Sequence, residues 1–335
     1  MDGQTHRSHF SQVTTMPENR LIRTILCPVD FSEHSRQALA YAAALTAHTK
    51  ANLIVIFVED PLLVAAAAAT HNEKTLIDKG RKELRRLVER TIKPYGLPIE
   101  SVALDIAVGR PHDKISWTTE QLKCDLIVMG SHGWTGANRM MLGSTTHRIL
   151  RTSPLPVLAI PPVKGRVRRP TNAWPGKWAL APVDLGPRDR ADALAAAVVA
   201  RELGTKLLLI HVVEPVAEVP WLEFDTVRRN LQWERRALTH LTRLKDDLEW
   251  GVGGCTVEAG KPAAAIAKVA SDGNVGLVVM TRRKGQGLLG PRQGSISYQV
   301  LIGARTPVLA LPSDQRWLRR AIALVPKESR TRRSV

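Results

Sequence analysis

Three glycines and two hydroxyl residues carry the clearest chemistry in this chain. Gly130, Gly133 and Gly143 punctuate "GSHGWTGANRMMLGST" (130–145), which ends on Ser144 and Thr145 and follows the apolar run "CDLIVM" (124–129). Glycine lets another group approach the backbone closely, because it has no Cβ. A stretch that ends in Gly-Ser-Thr and opens a helix presents unpaired N–H groups, and the helix dipole favours an anion there. Ser131, Ser144 and Thr145 add hydroxyl donors. A phosphate chain fits this donor set. His132 and Arg139 lie between the glycines, where they either meet phosphates or serve as solvated loop residues. Two other phosphate loops are excluded. There is no G-x4-G-K-[ST], and the turn after the first apolar run reads "PVDFSEHS" rather than G-x-G-x-x-G.

The elements that position this loop come from a unit written twice. "VGRPHDKI" (108–115) matches "AGKPAAAI" (259–266), and "LGSTTHRILRTSPLPVLAIP" (142–161) matches "QGSISYQVLIGARTPVLALP" (293–312), both at an offset of 151 residues. "ILCPVDFS" (25–32) echoes "ALAPVDLG" (179–186) at an offset of 154, so the copies differ in length midway. In the first copy, apolar strand-like runs alternate with helical patterns. Ser32 is placed to cap the first helix, Pro111 falls in the first turn of another, and "EKTLIDKGRKELRRLVERTIKPYG" reads as a long amphipathic helix that ends before Pro94. Such alternation predicts an α/β fold, two tandem open parallel-sheet domains with helices on both faces. The boundaries read as an N-terminal arm over 1–20, disordered; a first domain over 21–162; a linker over 163–177; a second domain over 178–312; and a basic tail over 313–335.

Length and charge agree. A chain of 335 residues suits two domains. The net charge of +17 favours polyanions as partners, though much of it sits in "KGRVRR" (164–169) and in 316–335. Cys27, Cys124 and Cys255 are far apart and form neither a zinc pattern nor a disulfide framework, and no histidine pair has metal-ligand spacing. His211 reads as a satisfied rim or core histidine. Residues 1–20 contain no apolar signal core and no run is long enough to span a membrane, so a cytoplasmic location is expected.

The motif Gly130-x2-Gly133-x9-Gly143-Ser144, with "PVDFS" after the first strand and the closing "PVLAIP" strand, resembles the universal stress protein family from about Ile22 to Pro312, in two copies. The resemblance implies five strands per domain in the order 3-2-1-4-5. It also implies ATP as ligand of the first domain. In ATP-binding members the acid after the first strand contacts the nucleoside, which here is Asp30, preceded by Pro28 and Val29. The end of the second strand, here Val58, meets the adenine edge. The glycine loop, from Met129 and Gly130 through Ser131, His132, Gly133 and Arg139 to Gly143, Ser144 and Thr145, holds ribose and phosphates. A magnesium ion near Asp30 is compatible with this set. The second copy departs from the motif, since Thr281 and Lys284 stand where Gly130 and Gly133 do, while Asp184, Val212, Gly294 and Ser295 remain.

One ATP per chain is therefore expected, bound in the first domain of a stress-response sensor or regulator. No dedicated base or nucleophile accompanies the loop, so the reading leans away from an enzyme, with slow ATP hydrolysis as its upper bound. The alternative is a nucleic-acid or anionic-surface binder acting through the linker and tail. The resemblance further implies that "LPVLAIP" and "TPVLALP" are last strands that pair as an internal pseudo-dimer, leaving a further homo-oligomer optional. The 130–143 loop is expected to be mobile without ligand and ordered with it.

Overall fold

Apolar runs rich in Val, Ile and Leu become strands, and the Ala-rich and amphipathic stretches between them become helices. The computed structural model describes residues 20–70, 73–131, 142–162, 170–171, 174–216, 226–248, 251–282 and 295–324. It divides into two units, Met1–Trp174 and Pro175–Val335.

The first unit contains β1 (Thr24–Val29), α1 (Glu33–Thr49), β2 (Asn52–Glu59), α2 (Pro61–Ala69), α3 (Glu73–Ile92), β3 (Val102–Val108), α4 (Pro111–Gln121), β4 (Leu126–Gly130), α5 (Ser144–Thr152) and β5 (Val157–Ile160). Its strands are parallel in the order β3-β2-β1-β4-β5. Right-handed crossovers from β1 to β3 place α1 and α3 on one face. The reversal after β3 places α4 and α5 on the other. Packing agrees, with α1 against α3 and α4 against α5. Central strands are covered on both faces, so β1 and β2 read as unbroken apolar runs. Leu26 and Ile54 are fully buried, each burial contributing roughly 1.5–3 kcal/mol. The start of β1 is held by the buried Asp125 carboxylate, which accepts from the N–H groups of Arg23 and Thr24 at 2.9 and 3.0 Å.

The second unit repeats the plan in β6 (Trp178–Pro182), α6 (Asp189–Glu202), β7 (Lys206–Val213), α7 (Thr226–Asp247), β8 (Val252–Ala259), α8 (Pro262–Ala270), β9 (Val275–Thr281), α9 (Ile296–Gly303) and β10 (Val308–Leu311), with strand order β8-β7-β6-β9-β10. Matching glycines turn β3 into α4 and β8 into α8. Gly109 (φ 146°) donates to Glu59 O, and Gly260 (φ 132°) donates to Val213 O.

Two helices were not expected from the sequence. Helix α2 arises from the Ala-rich run after Asp60, whose carboxylate caps it, and only Val64 of it is buried. Helix α10 (Gln315–Ala323) occupies part of the expected tail and packs on α6 through the buried Ala321. The boundary falls inside the expected linker. The Trp174 ring meets Tyr41 edge-on at 5.2 Å, and the Tyr95 hydroxyl donates to Pro170 O, so this stretch packs with the first unit. In the second unit Pro175 lies so close to Gly276 that a Cβ there would sit 1.7 Å from its carbonyl oxygen. Of the expected disordered arm, residues 1–19 lie outside the described residues, while Arg20 donates to Thr49 O.

Candidate functional site

The carboxyl ends of β1 and β4 part at the point where the strand order reverses, which is where open α/β sheets place ligands. A cavity of about 220 Å³ lies there. β1 and its exit supply Pro28, Val29 and Asp30; β2 supplies Val58; β4 supplies Met129 and Gly130; and the start of α5 supplies Gly143, Ser144 and Thr145. The sequence-predicted residues are thus gathered in one cavity, with exceptions. Ser131 is buried and absent from the cavity wall. His132, Gly133 and Arg139 lie outside the described residues.

Local bonds explain how the walls are set. Asp30 Oδ1 accepts from Ser32 N–H at 3.0 Å, and Asp30 N–H donates to Ser35 Oγ at 3.2 Å. Ser32 in turn caps α1 by accepting from Ser35 N–H at 3.1 Å. This turn places Phe31 at φ 60°, a conformation unusual for a bulky residue, and its ring meets Phe57 edge-on at 4.6 Å. Across the cleft, the exit of β4 is tied to the start of α5. Gly143 N–H donates to Ser131 O at 2.9 Å, and Thr146 Oγ1 donates to Gly130 O at 2.7 Å.

Gly143 is the N-cap of α5 and offers no side-chain acceptor. The N–H groups at the start of α5 therefore face the cavity with no intrahelical partner. Anions suit such a terminus, both through those donors and through the dipole. Four lining residues were not read from the sequence, namely Ser35, Pro111, Ile115 and Thr146. Pro111 and Ile115 come from the first turns of α4, and the Gly109–Pro111 turn was the signal that pointed there.

The second unit keeps the first half of this construction and changes the second. Asp184 Oδ1 accepts from Gly186 N–H at 3.2 Å, and Leu185 takes φ 56° as Phe31 does. At the end of β9, however, Thr281 replaces Gly130 and Arg282 replaces Ser131. Arg282 is buried, and burial pushes its guanidinium down to about 10. Ser295, the counterpart of Ser144, lies outside α9 as its N-cap and accepts from Tyr298 N–H at 3.2 Å. That terminus satisfies a donor of its own.

The universal stress protein family model matches residues 21–161 and again 178–312. The chain belongs to the universal stress protein family. Two single-domain-length relatives from Methanocaldococcus jannaschii agree. Universal stress protein MJ0531 is 30% identical over 144 residues, covering 42% of this chain and 82% of the relative, and universal stress protein MJ0577 is 29% identical over 157 residues, covering 42% and 95%. A solved universal stress protein from Archaeoglobus fulgidus shares the fold with a TM-score of 0.59 at 22% identity, covering 87% of this chain and 98% of that one. Among the described residues, no helix is long and apolar enough to cross a membrane, and no three acidic, His or Cys side chains group as metal ligands.

Proposed function

We propose that the first unit of this universal stress protein binds an adenine nucleotide, ATP, and that the protein acts as a cytoplasmic stress-response sensor or regulator. The observation that carries the reading is the single cavity joining Asp30 and Val58 to Gly130, Gly143 and Ser144. Its chemistry suits the ligand. A carboxylate stands on the nucleoside side, an aliphatic residue beside the base, and backbone donors at a helix start on the phosphate side. The enclosed part, about 220 Å³, is smaller than the roughly 300–1,000 Å³ of ordinary small-molecule pockets. The phosphates would therefore lie at its mouth, over the first turn of α5. If magnesium accompanies them, Asp30 is the carboxylate on this wall to approach it.

Titration calorimetry with ATP tests the reading. One site per chain is expected, with hydrogen-exchange protection gained across 130–145. Two equal sites, or no protection there, would overturn it. Binding of nucleic acid that falls steeply with salt, with no ATP binding, would instead favour the basic segments as the working surface.

A further inference from the structure

The second unit contains a shallow, open cavity on the sheet face that carries α6 and α7, opposite the face of α8 and α9. It is lined by Leu185 and Val212 at the strand ends, by His211 on β7, and by Trp233, Arg236 and His240 on α7. Positions 233, 236 and 240 recur at helical spacing and form one stripe over the end of β7. The first unit has two aromatic rings at the equivalent positions. At the offset of 154, Leu185 and His211 correspond to Phe31 and Phe57, whose rings contact each other. The buried pairs Leu84/Val88 of α3 and Ala237/Leu241 of α7 align at an offset of 153, which sets Gly80 against Trp233. A Cβ at Gly80 would lie 3.9 Å from Phe57, so α3 passes beside that ring. In the second unit an aliphatic and an imidazole side chain replace the two rings, and the helix contributes an indole instead.

We propose that this cavity binds a small planar aromatic anion. The indole of Trp233 offers a flat face for stacking, with Val212 and Leu185 as aliphatic walls. Arg236 makes no ion pair among the described residues and offers a fork of donors for a carboxylate or phosphate. His240 is held by Asp189, Nε2 to Oδ2 at 2.6 Å. His211 places Nδ1 2.7 Å from Val183 O, so that nitrogen carries the proton and Nε2 is left as the ring's other polar atom. Glu214, on the rim, is the one carboxylate of the lining. Helix α7 counters it with an excess of arginines, at 228, 229, 235, 236 and 243.

The proposal is independent of the nucleotide reading of the first unit. Ligand-observed NMR on the full chain tests it with two probes, 1-naphthoate as a ring with a carboxylate and AMP as a ring with a phosphate. AMP is measured in a chain carrying Gly130→Thr and Gly133→Lys, so that first-unit binding does not contribute. At least one probe should bind saturably, and cyclohexanecarboxylate, which lacks the flat ring, should not. Trp233→Ala and Arg236→Ala should each weaken the bound probe by about tenfold or more. Leu185→Phe with His211→Phe, which copies the first unit, should abolish binding. Naphthoate alone points to an aryl carboxylate, and AMP alone to an aromatic ring linked through a sugar to a phosphate. If neither binds, or if binding survives the single α7 variants unchanged, the proposal is wrong.

Discussion

The two units share the aspartate-anchored turn after the first strand and build the start of α5 and α9 differently. Asp30 and Asp184 each accept from the N–H two residues on, and each forces the intervening residue to positive φ. At the start of α5, by contrast, the cap is a glycine and Ser144 is already helical. At the start of α9 the matching Ser295 is extended and its hydroxyl closes on Tyr298 N–H. A shift of one residue in where the helix begins decides whether its first turn is left uncapped at the cavity or closed by its own serine. Divergence here consists of self-satisfaction of a polar terminus, while the core of the sheet keeps its pattern.

That comparison can be broken experimentally. The largest effect is expected from writing the second unit's residues into the first, by Gly130→Thr with Gly133→Lys. ATP affinity should fall by about a hundredfold or more, roughly 2.7 kcal/mol, with circular dichroism unchanged; retained affinity would show that the glycines do not mark the site. Next, ATP at a hundred times its dissociation constant should stabilise the first unit by about 2.7 kcal/mol. Hydrogen exchange resolved by peptide should show that gain in the first unit and little of it in the second. The serines should then separate two roles. Ser295→Ala removes a cap and should cost about 1 kcal/mol of stability by denaturant melting. Ser144→Ala should cost under about 0.5 kcal/mol but weaken ATP by about tenfold.

The smallest effect concerns Glu59, buried beside the site, where the second unit has Val213. Burial, with Asp60 adding to it, pushes the Glu59 carboxyl above its ordinary value of 4.5. The folded state thus holds a proton that the unfolded state has released. The associated stability is complete below about pH 4.5 and is lost as pH rises through the raised value. Glu59→Gln should flatten that decline and leave the second unit's melting unchanged.

Much of the fold was legible because repeat and periodicity agreed. Ser32 capped α1 and Pro111 opened α4 as their positions suggested. Helix α2 was missed because "PLLVAAAAA" has no apolar face to detect; its legible signal was Asp60 followed by Pro61. Helix α10 was hidden by charge, since its three arginines, Arg316, Arg319 and Arg320, outweigh the spacing of Trp317, Leu318 and Ala321. Within the site, the glycine motif located α5 and β4, but Ser35, Ile115 and Thr146 come from helices whose approach depends on crossover handedness. No local pattern encodes that. Ser131 shows the converse, since its place in the motif suggested a donor to ligand while its backbone is engaged with Ile160 and the residue is buried.

Cys27 lies at the centre of β1 and Cys124 just before β4, both buried. Burial alone pushes the Cys27 thiol far up; for Cys124, pushed up to about 12, Asp125 adds to burial. Neither thiol can react as thiolate while the sheet is closed. Cys255 is half-buried on β8. The first half therefore carries a timer, readable by alkylation. Modification of Cys27 counts the moments when the central strand of the first unit comes free, and modification of Cys255 reports on the edge of the second. A ligand that tightens the first unit will lengthen the wait at Cys27 before anything is visible in the bulk melting of the protein.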